Sequence, residues 1–242
     1  MKIIENNIII EPVAEDAVMD VMRQVERYRI TTFDAAQQLA CFEGQGPRSV
    51  KAVLKECVRR GWMGNAWLDA SRRYWFLLPR GVEVLKLTDR RTGPLSESAK
   101  IKAATMLFFC LLGDRDRQVL TPAEVRSQLG CDQGIPSTYY FDASDSNCLG
   151  LAQIDVGRMG RWDRIIQTVR KEVGRQLGME GVNRLLAKSQ FEITVITALP
   201  QKAQRLTNSM IEYPDLKRIP VKVVACPGLL PLLATAPKKK GR

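Results

Sequence analysis

The chain has 242 residues, 45% of them hydrophobic, and 37 Lys and Arg against 26 Asp and Glu, a formal net charge of +11. That length suits two domains or one large one, and the cationic excess favours a polyanionic partner, nucleic acid before a membrane surface. The sequence holds no His, which excludes His-based general-base chemistry, Ser-His-Asp triads and His metal ligands.

The six Cys are scattered, with no C-x-x-C pair, and read as free thiols or small core residues of a reducing compartment. No apolar run is long enough to cross a bilayer. The N-terminus lacks the charged-then-apolar form of a signal peptide. These features predict a cytoplasmic protein with no membrane partner.

Residues 3–15 read as a lead-in with an extended piece at 7–11. Residues 16–28 carry helical spacing in Val18, Val21, Met22 and Val25. Thr31 followed by Asp34 has the form of a capping box before the next helix. Gly44-Gln45-Gly46-Pro47 is a breaker, and Pro47 suits the first turn of a helix over 48–60 with Val50, Val53, Leu54 and Cys57 on its apolar face. Gly61 is a C-terminal stop. The period then changes to two. Residues 62–68 and 74–78 flank Asp69-Ala70-Ser71-Arg72-Arg73, a β-hairpin with a basic tip. A short helix is expected at 82–87.

Three helices followed by a two-stranded hairpin resemble the winged-helix family, a variant of helix-turn-helix. The run Tyr74-Trp75-Phe76-Leu77-Leu78-Pro79-Arg80-Gly81-Val82-Glu83-Val84-Leu85 is similar to the end of the wing. The resemblance implies that 48–60 is a recognition helix. Arg48, Ser49, Lys51 and Lys55 would then reach the major groove of double-stranded DNA. Arg72 and Arg73 would meet phosphate or the minor groove. The alternative is a solvated basic face, or a module for protein contacts.

Residues 88–98 are polar, with Gly93-Pro94 inside, and form the linker. A buried helix is expected at 99–112, opened by Ser96 or Ser98, and another at 121–129, opened by Thr121-Pro122. Two strand-like runs follow at 137–143 and 149–156, with Ala-Ser-Asp-Ser-Asn between them. Each carries a carboxylate, Asp142 and Asp155. Charges on neighbouring strands are costly unless paired or bound to a cation, so the pair suggests a hard divalent metal. The other reading is that both Asp residues start turns. Helices at 162–177, 180–187 and 200–212 alternate with strands at 191–197 and 219–225. Residues 229–233 pack beyond the last strand. The tail Pro237-Lys238-Lys239-Lys240-Gly241-Arg242 is a basic segment that could touch phosphate.

This order of elements resembles the restriction-endonuclease-like, or PD-(D/E)xK, fold. A winged helix placed before it is similar to replication-relaxation proteins and MOBC-class plasmid mobilization relaxases. The expected fold class is α/β (α+β): a winged helix at 1–88, a linker at 89–98, a restriction-endonuclease-like mixed-sheet domain at 99–236 and a basic tail at 237–242. By position, Asp142 matches the first acid of the nuclease motif, and Asp155 the acid of the second strand. Gln153 stands where relatives carry another acid. Gly157 stands where the motif has Lys, so Lys171 or Arg158 would supply the missing cation. The resemblance implies that Asp142, Asp155 and Gln153 hold Mg²⁺ or Mn²⁺, with Tyr140, on the face of Asp142, as a possible nucleophile. Tyr140 reads equally as a core aromatic. The implied activity is sequence-specific, metal-dependent nicking of one strand at a plasmid transfer or replication origin, with accessory mobilization or coupling proteins as further partners. The alternative is a non-catalytic winged-helix DNA-binding protein, a replication accessory factor or transcriptional regulator, with a degenerate nuclease scaffold.

Overall fold

The computed structural model describes residues 3–5, 8–10, 13–87, 92–111, 116–130, 138–145, 147–155 and 162–235. The chain is mixed α and β and divides into two units, Met1–Ser96 and Glu97–Arg242. The boundary falls inside the polar stretch expected as a linker. No described helix is long and apolar enough to cross a membrane.

The first unit opens with two short antiparallel strands, β1 (Ile3–Glu5) and β2 (Ile8–Ile10). Helix α1 (Glu15–Tyr28) buries Val18, Val21, Met22 and Val25, the residues its 3.6-residue period puts on one face, and ends at Arg29 in the left-handed region. A two-residue strand β3 (Thr31–Thr32) leads into α2 (Phe33–Gln37). The cap sits one residue later than the sequence pattern placed it. Thr32 accepts from the Ala35 N–H, while the Thr31 hydroxyl donates to Gln24 of α1. Both threonines pair with a later strand, and with the Thr31 hydroxyl used by Gln24 it is Thr32 that caps.

Helix α3 (Pro47–Arg59) starts on Pro47 as expected and buries Val50, Val53, Leu54 and Cys57 against α1 and α2. The hairpin of β4 (Met63–Trp67) and β5 (Arg73–Leu77) follows in antiparallel register, and β3 pairs on the far side of β5, giving the order β3-β5-β4. Helix α4 (Pro79–Val84) begins three residues before the expected 82, because Pro79 takes its first turn.

The second unit begins with α5 (Glu97–Cys110), buried along most of its length. Strand β6 (Arg117–Val119) was not anticipated; three residues give no readable period. Helix α6 (Pro122–Leu129) carries a full capping box between Thr121 and Glu124. Strands β7 (Tyr139–Asp142) and β8 (Cys148–Asp155), helices α7 (Trp162–Leu177) and α8 (Glu180–Leu186), strand β9 (Phe191–Thr197), helix α9 (Pro200–Met210), strand β10 (Val221–Ala225) and helix α10 (Leu230–Thr235) complete it.

The five strands form one sheet in the order β10-β9-β8-β7-β6. Strands β6, β7 and β8 are antiparallel neighbours; β8, β9 and β10 run parallel. Successive side chains of a strand point to opposite faces. One face presents Tyr139, Leu149, Leu151, Ile193 and Val195 to α6, α7, α8 and α9 in a single apolar core. The other presents Tyr140, which meets Phe109 of α5 edge-on at 4.8 Å. The sheet is therefore covered on both sides, and β9 is buried at every position, so Glu192, Thr194 and Thr197, the polar residues of its alternating sequence, are buried with the apolar ones.

Candidate functional site

Among the described residues, two places carry chemistry, one in each unit. In the second unit, the expectation that Asp142 and Asp155 converge is overturned by the register. Asp142 lies opposite Cys148, and Asp155 follows seven residues further along β8. That is about 23 Å at a strand rise of ~3.3 Å per residue. The two also point to opposite faces. Asp142 shares the parity of Tyr140 and Gly150, and Asp155 that of Leu149, Leu151 and Gln153. A Mg²⁺ or Mn²⁺ ion needs its oxygen ligands within about 2.0–2.6 Å, so this pair does not fit one ion.

Each carboxylate has a cation of its own. Arg117 Nε donates to Asp142 Oδ2 at 2.7 Å, with both side chains buried, and the Ser144 hydroxyl donates to Oδ1 at 2.7 Å. The Arg117 guanidinium also lies over the Phe109 ring at 4.4 Å. Asp155 pairs with Lys202 of α9 at 2.6 Å. Lys202 was not singled out in the sequence. The cations that were do not take this place: Lys171 is exposed on α7, and Arg158 lies outside the described residues.

Tyr140 is fully buried, and its hydroxyl donates to Glu192 Oε1 at 2.5 Å and lies 2.7 Å from Thr194 Oγ1. Burial and the neighbouring Glu192 push its phenol far above its ordinary range. A tyrosine nucleophile needs access to its substrate and a hydroxyl that gives up its proton readily; Tyr140 is sealed in the core and its pKa is raised by burial and by Glu192, which suits a structural role. Glu192 Oε2 is held in turn by Lys222, which also pairs with Asp145. Burial works against the Lys222 charge, but the hydrogen bonds to Asp145 and Glu192 outweigh it and raise its pKa. Cys148, beside this network, is pushed up to about 12 by burial first and by Glu192 second, which makes it an inert thiol.

In the first unit, the basic residues do gather on one surface. Arg48, Lys51 and Lys55 are exposed along α3, and Ser49 is half-buried in its first turn. Across from α3 stands the β4–β5 hairpin, and the two border an open groove of about 550 Å³. Lys51, Lys55 and Arg73 line it together with Phe33, Trp67 and Trp75. Arg73 donates to Asn65 Oδ1 at 2.6 Å and stacks over the Trp67 ring at 4.5 Å. Lys51 Nζ lies 5.7 Å from the Phe33 ring centre.

Arg72, expected beside Arg73 as a contact residue, is committed inside the hairpin. Its guanidinium bonds Asp69 Oδ2, and Asp69 Oδ1 accepts the backbone N–H groups of Ser71 and Arg72. Burial opposes the Asp69 charge, but these hydrogen bonds prevail and lower its pKa. The Asp69 side chain is an Asx anchor that fixes the turn, and Arg72 neutralises it. The aromatic part of the groove was not anticipated, although Trp67 at the end of an alternating run offered the signal. Comparison with known proteins adds nothing to this geometry, since no protein-family model, no curated protein and no solved structure matches the chain.

Proposed function

We propose that the chain is a double-stranded DNA-binding protein of the cytoplasm, whose first unit acts as a winged helix and whose second unit is a restriction-endonuclease-like scaffold. The observation that carries the reading is the basic surface of α3. Arg48, Lys51 and Lys55 are exposed along one helix, with Arg73 on the facing hairpin. A helix inserted in the major groove with flanking phosphate contacts is the docking mode such a surface suits. The order helix, short strand, helix, helix, hairpin supports the winged-helix assignment. The sheet covered by helices on both sides, with strands in sequential order, supports the nuclease-like one. Because Asp142 is tied to Arg117 and stands apart from Asp155, the second unit serves in this reading as a non-catalytic scaffold, in a replication accessory factor or regulator.

The test is binding to a labelled duplex by fluorescence anisotropy at rising salt. Wild type should bind with affinity that falls steeply as salt rises, by about 0.9 log units per log unit of salt for each phosphate contact. An affinity independent of salt, or equal for R48A/K51A and wild type, sinks the reading.

A second reading, a plasmid mobilization relaxase that nicks one strand at an origin, keeps one supporting observation. Asp155, Gln153 and the Lys202 ammonium lie at the carboxyl end of β8, where β8 and β9 run parallel, the usual location of sites in open α/β sheets. Incubation of supercoiled origin plasmid with protein and Mg²⁺ or Mn²⁺ decides it. Open-circular product that wild type makes only with the metal ion, and that is lost in D155N still folded by its melting curve, supports the relaxase; none from wild type removes it.

A further inference from the structure

We infer that the groove between α3 and the β4–β5 hairpin takes the unpaired bases of a single-stranded nucleic acid, in addition to whatever duplex contacts the α3 cations make. The inference rests on the DNA-binding reading only in taking nucleic acid as the partner.

Three properties of the groove set the ligand's chemistry. It is lined by three cations, Lys51, Lys55 and Arg73, with no carboxylate among its described lining residues, so the ligand is anionic. Three aromatic side chains, Phe33, Trp67 and Trp75, line it as well, so the ligand also has π-faces. Trp67 remains 56% exposed even with Arg73 stacked on it. Exposure of so large an indole leaves apolar surface in water at a cost that scales with its area. In this chain it is held in place: Arg73 is fixed by both the Trp67 ring and Asn65.

A B-form duplex does not use such a platform. Its bases are stacked on one another and present only their edges in the grooves, so an indole face gains little from it. Unpaired bases have both faces free, and base–aromatic stacking beside a cationic track is how sequence-tolerant single-strand sites are built. An acidic peptide would satisfy the cations but leave the three rings without a counterpart. The groove volume of about 550 Å³ is in the range of pockets that hold small organic ligands, enough for a nucleotide or two and too little for a folded element.

The experiment uses the full chain and three probes of fixed chemistry: a fluorescein-labelled oligo-dT 12-mer, a labelled 20-base-pair duplex and a labelled glutamate 12-mer. Trp67→Leu is the main variant, because Trp67 is exposed and its loss leaves the core intact; Trp67→Phe keeps a ring. Oligo-dT should bind and quench tryptophan fluorescence. Trp67→Leu should weaken that binding about tenfold, as expected for one lost base–aromatic stack, and Trp67→Phe should recover most of it. Equal oligo-dT affinity for wild type and Trp67→Leu overturns the inference, as does a glutamate peptide bound as tightly as oligo-dT. Duplex binding without oligo-dT binding removes this inference and leaves the winged-helix reading standing. Oligo-dT binding without duplex binding does the reverse.

Discussion

Lys202 Nζ lies 2.6 Å from Asp155 Oδ2, and the two side chains are 0% and 6% exposed. Breaking a buried ion pair from one side strands the remaining charge, which costs about 3–5 kcal/mol, whereas replacing both partners by neutral groups is often close to neutral. Lys202→Met should therefore lower unfolding stability by about 3–5 kcal/mol, and the double variant Asp155→Asn/Lys202→Met should recover most of the loss. Urea titrations of the four proteins in the cycle measure it. A single variant as stable as wild type would mean that Asp155 does not depend on this cation.

Tyr140 lies flat against Gly150, and a Cβ at residue 150 would sit 2.0 Å from the Tyr140 Cζ. The ring has nowhere to go, because Glu192 and Thr194 hold its hydroxyl and Phe109 packs on its edge. Gly150→Ala should cost about 3 kcal/mol or more by overpacking. Tyr140→Phe should cost about 1–3 kcal/mol by leaving the buried Glu192 short of a donor. Thermal melts check both. Neither change should alter duplex affinity of the protein that remains folded, since Tyr140 is a framing residue of the sheet; a Tyr140→Phe protein that melts like wild type would break this account.

Most strands and helices of both units were legible because their periods are long enough to read; the three-residue β6 was not. The amphipathic stripe of α7 and the alternating strand pattern of β9 fall where the sequence places them, at Trp162–Leu177 and Phe191–Thr197. The site was not legible in the same way. Pattern shows that Asp142 and Asp155 lie on adjacent strands, but convergence depends on register and parity, which the turn between the strands determines. The register leaves the two carboxylates on opposite faces. The partner of Asp155 did leave a trace. Lys202, Leu206 and Met210 recur every four residues on the buried face of α9, and a lysine in such a stripe must meet an acid. The groove in the first unit joins α2, α3, β4 and β5 in space, and no local window of sequence contains it.

Arg72 and Arg73 are adjacent in sequence and opposite in role, which gives two separable outcomes. Arg72→Ala removes the cation from Asp69, whose side chain is 0% exposed, and should lower stability by about 1–3 kcal/mol through loss of the hairpin turn. Arg73→Ala touches an exposed side chain and should change stability by no more than about 0.5 kcal/mol. In the DNA-binding reading it should lower duplex affinity and reduce the salt slope by roughly 0.9. Paired melts and anisotropy titrations separate the two. A reversal, with Arg73 governing the melt and Arg72 the salt slope, would overturn the assignment of Asp69 as the turn anchor.

Glu56 links the stability of the first unit to pH at the acid end. Its carboxylate accepts from Arg59 at 2.6 and 2.7 Å and from Arg60 at 2.7 Å, and Arg60 reaches on to Glu15 of α1. The hydrogen bonds from Arg59 and then Arg60 pull its pKa from 4.5 to about 2. A carboxylate depressed in the folded state adds stability that is fully present above its unfolded value and is lost as pH falls through its folded value. For Glu56 that window runs from about 4.5 down to about 2. The Arg59 end of the cluster is solvent-screened, so the larger part of the effect belongs to the Arg60 bridge that ties the end of α3 to α1. Glu56→Gln should therefore lower the melting temperature at pH 6, and the gap to wild type should close as pH is taken from 4.5 towards 2. Added salt should narrow the gap at pH 6 as well, because part of the cluster is exposed. Melting curves at half-unit pH steps for the two proteins give the difference directly, and a gap that stays constant across the acid range would show that Glu56 is not the titrating group.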